Sequence, residues 1–338
     1  MKLDYLKNKK VLVTGGTGSI GSALVFKLIK TNCKVIRVMS NDENGLYELS
    51  KKVSQFFTIN YNIFFNLMGK NRIRFFLGDV RDKKRCLEVT KDVDVVIHAA
   101  AIKHVNISEY NPNEAIQTNF IGTKNMLKAA QKNKVSKFLF ISTDKVVDPI
   151  NIMGKSKLLA EKFATGFNSK KISVSSIRFG NVIGSRGSVV PKFIDLLKNN
   201  KNIIVTSDKM ARFVMSIQET VESALSVIAH MKGGEIFILK SMKCFRIIDL
   251  AQALKNYFKS KSKIIISNII DNEKFSEELF SKKEIPYISI NKKLFVIKDK
   301  KNHRNVLKYK YFNKYRKSNF NFLNKKEIIS LLKKSKII

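Results

Sequence analysis

Two clusters in the sequence hold residues whose types and spacing could do chemistry. The first is Thr14-Gly15-Gly16-Thr17-Gly18-Ser19-Ile20-Gly21, which follows the apolar run KVLVT and leads into an apolar-periodic segment. Glycines at 15, 18 and 21 permit a tight turn, close backbone approach to a pyrophosphate, and close packing of a helix on a strand. The helix N-terminus then presents its N–H groups to the anion. In a strand–turn–helix context, that chemistry is dinucleotide binding. The second cluster is Ser142-Thr143-Asp144-Lys145, followed by Met153-Gly154-Lys155-Ser156-Lys157. Asp144 and Lys145 could pass protons, and Lys157 could lie under a nicotinamide ribose. A plainer reading has Thr143 and Asp144 capping a turn and the lysines in solvent.

Smaller signals surround these clusters. In Met39-Ser40-Asn41-Asp42-Glu43 an acidic residue would bind the ribose hydroxyls of NAD, whereas Ser40 and Asn41 would hydrogen-bond the 2′-phosphate of NADP. No arginine follows that run, and NADP is placed ahead of NAD. Asp79 would meet an adenine edge or cap a helix, a role for which Asp82 is equally placed. Arg178 and Arg186 would neutralise phosphate or form salt bridges. His98 reads as packed and hydrogen-bonded, and His104 as pocket wall. Cys33, Cys86 and Cys244 are widely spaced with no metal-ligand company, so no metal site is expected.

The elements that must position these groups follow from periodicity. Short apolar runs at 10–14, 34–39, 73–77, 93–97 and 137–142 read as buried parallel strands, with another at 172–177. Helix-length segments such as 19–30 and 112–132 lie between them. The alternation calls for a doubly wound α/β parallel sheet. A Gly/Ser-rich loop, GNVIGSRGS, follows at 180–188, and 325–334 reads as a final helix.

Composition bounds the partners. The 338 residues carry a net charge of +37, with 44% hydrophobic residues, which excludes wholesale disorder. Of the 64 basic residues, 53 are lysine and 11 arginine. Phosphate and base recognition favours arginine, so the charge reads as solvated lysine before it reads as a nucleic-acid grip. The last 50 residues hold a balance of +14 among tyrosines and phenylalanines; packing is the first reading of those aromatics and base stacking the second. The N-terminus shows no signal-peptide pattern, and the uncharged stretch at 54–69 is too short and polar to span a bilayer. A cytoplasmic, soluble protein without membrane contact is expected.

The motifs together resemble a known family, the extended short-chain dehydrogenase/reductases, and within it the UDP-N-acetylglucosamine 4,6-dehydratases of polysaccharide biosynthesis. The resemblance rests on TGGTGSIG (14–21), GDVRD (78–82), HAAAIKHV (98–105), NPNEAIQTNFIGT (111–123), STDK (142–145), MGKSK (153–157), RFGNVIGSRGSVVP (178–191), ARFVMS (211–216), GGEIFILK (233–240) and NEKFSEEL (272–279). It implies a Rossmann-like dinucleotide domain over 1–180, to which the chain returns around 213–240. A smaller substrate-binding domain would fill 181–338. It also implies a homo-oligomer.

The implied reaction is hydro-lyase chemistry on a nucleotide-diphosphate sugar. Hydride leaves C4, water is lost across C5–C6, and hydride returns to C6. Thr143 would hydrogen-bond the C4 oxygen, Asp144 would protonate the leaving hydroxyl, Lys145 would act at C5, and Lys157 would hold the ribose. Met153 stands where such enzymes usually carry a tyrosine base, which matches a methionine-containing branch. The resemblance also places cofactor contacts at Thr17, Ser19, Ile20, Val80, Ala99 and Ala100. Sugar-nucleotide contacts fall at Lys103, Asn181, Ser188, Val189, Arg212 and Glu277, and Asn119 is a structural or relay position. The family's Arg-Pro-Gly-Glu-Lys reads Ile270-Asp271-Asn272-Glu273-Lys274 here, so one phosphate contact is missing that Lys240, Lys243 or Arg246 would replace. Neighbouring alternatives are the GDP sugar and a coupled 5-epimerisation. A different class is a non-catalytic dinucleotide sensor that binds nucleic acid through its tail.

Overall fold

The computed structural model describes residues 4–59, 72–267, 273–291, 293–298 and 322–338. The chain forms two compact units. The first comprises Met1–Ser142, Ile152–Ile177 and Val221–Phe237, and the second Thr143–Asn151, Arg178–Thr220 and Ile238–Ile338.

The first unit is an α/β layer structure. Its strands are β1 (Lys10–Thr14), β2 (Val35–Ser40), β3 (Ile73–Leu77), β4 (Val95–His98), β5 (Lys137–Thr143) and β6 (Ser173–Phe179), and the strand Ile236–Leu239 starts in it. In the sheet the order is Ile236–Leu239, β6, β5, β4, β1, β2, β3. β1 pairs parallel with β2 and β4, β2 with β3, and β4 with β5. Direction therefore reverses at β1, and the carboxyl ends of β1 and β4 flank the crevice where such sheets bind ligands. Val11 to Thr14 and Val95 to His98 are buried without alternation, because helices cover both faces. The strands fall within about two residues of the expected ones, the usual spread at element ends.

The helix Ser19–Ile29 buries Gly21, Leu24, Val25, Leu28 and Ile29 along one stripe. The expected helix at 112–132 is more complex. Pro112–Ile116 and Thr123–Lys132 are α-helical, but Gln117–Gly122 between them is a π turn. The widened turn aims Asn119 inward, where its amide clamps both backbone groups of Ile102 at 2.8 and 3.0 Å and reaches Ser156 Oγ at 3.0 Å.

In the second unit the strand Ala211–Met215 is central, flanked by Asn181–Val182 in parallel and Lys243–Arg246 in antiparallel pairing. Phe193, Leu197, Ile203, Phe245, Leu250, Leu254, Ile328 and Leu332 pack its core. The last two come from the helix Lys325–Lys334, started by a capping box between Asn324 and Glu327. Arg178 is fully buried, and its fork meets both oxygens of Glu284 at 2.9 and 2.6 Å. Of its two sequence readings, the structure has the salt bridge. The aromatic tail at 299–321 and the stretch 60–69 lie outside the described residues, and so do Ile270, Asp271 and Asn272. Among the described residues no helix is long and apolar enough to cross a membrane.

Candidate active site

The glycine turn is built for close approach. Gly15 has φ +63°, and a Cβ there would lie 2.7 Å from the Cα and N of Ala100. A Cβ on Gly21 would run into the Gly15 carbonyl oxygen, so the helix can start only against bare backbone. Gly16 N–H donates to Met39 at 3.0 Å and Gly18 N–H to Gly15 at 3.0 Å. Gly18 is the N-cap of the helix Ser19–Ile29 and has no side chain to cap it. The bare backbone of this tightly packed turn, beside a helix N-terminus, suits a dinucleotide pyrophosphate.

Around that turn, the Thr17 and Ser40 hydroxyls share a hydrogen bond of 2.8 Å, and Ser40 Oγ also accepts from Asp42 N–H. Asn41 is exposed, with its amide 3.5 Å from Asp79. Asp82 takes the cap role at Lys83–Thr90. Asp79 instead accepts the Arg81 fork at 3.0 and 2.7 Å. Burial pushes its carboxyl up, but the Arg81 hydrogen bonds and charge and the Asn41 amide hold it below the usual range. Val80 is buried, and Ala99 and Ala100 border the turn half-buried. His104 stands at the N-cap position of the short helix Val105–Tyr110 without a side-chain capping hydrogen bond, and Lys103 before it is exposed.

His98 sits between Thr14 and Thr123 at 2.7 and 3.0 Å. Thr123 Oγ1 spends its proton on Asn119 O at 2.6 Å, so it accepts from His98 Nε2–H, and Nδ1 accepts from Thr14. Burial, and secondarily the Lys157 charge, push this imidazole down to about 3. Lys157 is itself buried, donating to Ile141 O at 2.6 Å with its ammonium 4.1 Å from the Phe140 ring centroid. Burial pushes it down to about 7, against the pull of Glu161. Met153, one turn earlier, is 3% exposed.

β5 delivers Thr143, Asp144 and Lys145 into the second unit. Thr143 does cap the following turn, its Oγ1 accepting from Lys145 N–H at 3.4 Å, and it also donates to Asp144 Oδ1 at 2.9 Å. Lys145 is not simply solvated: its ammonium donates to Asp144 Oδ1 at 2.9 Å and Asn181 Oδ1 at 3.1 Å, and lies 3.8 Å from Glu277. Asp144 is wholly buried. Asp144 Oδ2 and Glu277 Oε2 are buried with no hydrogen-bond partner among the described residues.

Arg212 holds the segment that brings Glu277 in. Its fork donates to the carbonyls of Ala211, Lys274 and Phe275 and to Glu273 at 3.0 Å, and Ala211 bridges to Ser276. Its guanidinium is thus committed to protein groups, and a diphosphate would have to displace Glu273. Arg246 is likewise held, by Asp249 at 2.6 Å. Ser188, before the helix Val189–Lys198, keeps a buried hydroxyl without a partner among the described residues. Sequence reasoning did not connect Lys145 with Glu277, which is 132 residues away; only the weak NEKFSEEL motif pointed there.

The chain matches the polysaccharide biosynthesis protein family over residues 11–299. It is 39% identical over 346 residues to an uncharacterized membrane protein of Methanocaldococcus jannaschii, spanning 98% of this chain and 97% of that one. It is also 39% identical over 286 residues to UDP-glucose 4-epimerase of Rickettsia bellii, spanning 82% and 79%. Among solved structures, Pen from Bacillus thuringiensis has a TM-score of 0.86 at 33% identity, covering 98% of both chains. DesIV, the dTDP-glucose 4,6-dehydratase of Streptomyces venezuelae with NAD and TYD bound, has a TM-score of 0.69 at 20% identity, covering 80% and 88%. That last likeness is one of fold.

Proposed function

Since the chain belongs to the polysaccharide biosynthesis protein family, we propose that it modifies a nucleotide sugar, as a 4,6-dehydratase of UDP-N-acetylglucosamine working in the cytoplasm. The observation that carries the reading is the pair in which Lys145 donates to Asp144 Oδ1 at 2.9 Å while Asp144 Oδ2 is buried with no hydrogen-bond partner among the described residues. Simple oxidation or epimerisation at C4 asks for one proton acceptor. Loss of water across C5–C6 asks for a base and an acid together.

Gly15, Gly18 and Gly21, with the N-terminus of the helix Ser19–Ile29, would hold a nicotinamide dinucleotide, NAD or NADP, which would supply the hydride chemistry at C4 and C6. The protein moves the protons. Thr143 passes the C4 hydroxyl proton to Asp144, to which it is already hydrogen-bonded. The new ketone acidifies C5, Lys145 takes that proton, and Asp144 protonates the C6 oxygen as it departs in water. Lys145 then returns a proton to C5. Lys157 holds the ribose, its ammonium fixed by the Ile141 carbonyl. Lys103, Asn181, Ser188 and Val189 are assigned to the sugar nucleotide, and Arg212 joins them only by exchanging Glu273 for the diphosphate.

The test is incubation with UDP- or GDP-N-acetylglucosamine in D₂O, followed by NMR. A 4-keto-6-deoxy sugar with deuterium at C5 is expected, and its C5 configuration reports any epimerisation there. The Rickettsia relative favours a second reading, 4-epimerisation, which would give a C4 epimer with hydrogen retained at C5. Turnover of neither sugar would refute both.

A further inference from the structure

The proton account above leaves Lys145 one proton too many. In the resting pair its ammonium donates to the Asp144 carboxylate. Once Asp144 has taken the C4 hydroxyl proton, both members are protonated and Lys145 has no lone pair for C5. Asp144 is spoken for, because its proton must leave with the C6 oxygen. A further acceptor has to sit against the Lys145 ammonium.

We propose that Glu277 is that acceptor: it takes the surplus proton from Lys145 before C5 is attacked and gives it back after C5 is reprotonated. The inference rests on the dehydratase reading. Around Lys145 Nζ stand Asp144 Oδ1 at 2.9 Å, the Asn181 amide oxygen at 3.1 Å and Glu277 Oε1 at 3.8 Å. Asn181 cannot take a proton at this basicity, so among these described neighbours Glu277 is the acceptor. Proton transfer requires this 3.8 Å separation to shorten to a hydrogen bond.

The steps balance. At rest Asp144 and Glu277 are carboxylates and Lys145 is an ammonium. Oxidation at C4 protonates Asp144, and Lys145 passes a proton to Glu277. In the elimination the C5–H pair becomes the C5–C6 double bond, Lys145 gains the C5 proton, and Asp144 gives its own to the departing oxygen. Lys145 then protonates C5, Glu277 returns its proton, and the resting state is restored. The C4 hydroxyl proton has left in the water.

The surroundings suit a carboxyl that alternates between forms. Glu277 is 7% exposed, and its Oε2 has no hydrogen-bond partner among the described residues, although Lys274 Nζ lies 3.9 Å away. Lys274 spends a hydrogen bond on Val147 O at 2.6 Å. Burial pushes the Glu277 carboxyl above its usual range, Asp144 adds to this, and Lys145, Arg212 and Lys274 oppose it.

Glu277 acts through Lys145, so its test must read proton movement. Glu277→Gln should lower kcat about 100-fold, the scale of one proton-transfer group, with KM changed less than about twofold. In single turnovers, reduced nicotinamide should accumulate, because oxidation at C4 proceeds and elimination stalls. Raising the pH should restore part of the rate, as solvent base relieves Lys145, and Glu277→Asp should recover part of it at neutral pH. A Gln variant with full kcat would overturn the role. So would one with raised KM, no accumulation and no pH response, which marks a ligand contact. Should Glu277→Gln fail to fold, a wild-type kcat that does not fall with pH on the acid side would overturn it equally. Wild-type protein that forms neither reduced nicotinamide nor a keto sugar would instead sink the dehydratase reading.

Discussion

Arg178 offers the sharpest energetic test, because the sequence left it between phosphate ligand and salt bridge. Its side chain is 1% exposed and that of Glu284 is 11% exposed. Both ends of the Arg178 fork meet Glu284, Leu279 O accepts at 3.2 Å, and Glu284 Oε2 also accepts from Ser281 N–H at 2.9 Å. Glu284→Gln keeps the shape but removes the charge and turns an amide N–H₂ toward a donor. Arg178 then loses one partner of a buried ion pair, which costs about 3–5 kcal/mol. Arg178→Met with Glu284→Leu removes both charges and should recover that loss, ending neutral to about 1–4 kcal/mol more stable than wild type, since the desolvation burden goes with them. Urea unfolding followed by tyrosine fluorescence can measure this, as the chain has nine tyrosines and no tryptophan. A single-variant loss below about 1 kcal/mol would refute the argument, and so would a double variant less stable than the single one.

Three further perturbations test the site. Gly15→Ala puts a methyl 2.7 Å from the Ala100 backbone at φ +63°, so dinucleotide affinity measured by calorimetry should fall at least about tenfold; unchanged affinity would remove the turn from the site. Asp144→Asn should abolish formation of the keto-deoxy sugar while dinucleotide affinity stays within about twofold, and a variant with full turnover refutes the acid assignment. His98 stays neutral in the fold down to about 3 but titrates near 6.5 when unfolded, so the unfolded chain binds the extra proton between those values. Its stabilising contribution is complete above pH 6.5 and is lost as pH falls toward 3, at up to about 1.4 kcal/mol per pH unit. His98→Gln should flatten the stability–pH curve over that window, whereas a curve parallel to wild type would contradict the buried neutral imidazole.

The strands and the glycine turn were legible because their causes are local: continuous apolar runs for strands covered on both faces, and glycine where a Cβ meets backbone at Gly15 and Gly21. The π turn at Gln117–Gly122 was not, since its α-like periodicity hides the extra residue and only the Asn119 clamp on Ile102 explains it. The alternatives left open at Asp79, Asp82 and Arg178 were settled by partners far along the chain or by competition between neighbours. The same holds for Arg212, whose fork fits a diphosphate and in the fold grips Glu273 and three carbonyls. Residue type fixed what that group can bind, and only tertiary placement says what it does bind.

Methionine at 153 shows how far a missing group bears on activity. A tyrosine at that place would receive the C4 hydroxyl proton, and a thioether cannot. Loss of the tyrosine therefore disables the chain only if no other path takes that proton. The hydrogen bond from Thr143 Oγ1 to Asp144 Oδ1, at 2.9 Å, is such a path, and it ends on a carboxylate that needs a proton for the next step. In a plain dehydrogenase the proton would have to go on to solvent. In a dehydratase the departing C6 oxygen consumes it, so accepting it at Asp144 charges the acid that elimination requires. On the dehydratase reading, Met153, 3% exposed, serves as packing, and the proton economy of dehydration makes the tyrosine dispensable. On that same reading, the proposed role of the second carboxyl at Glu277 follows once Asp144 carries the C4 proton.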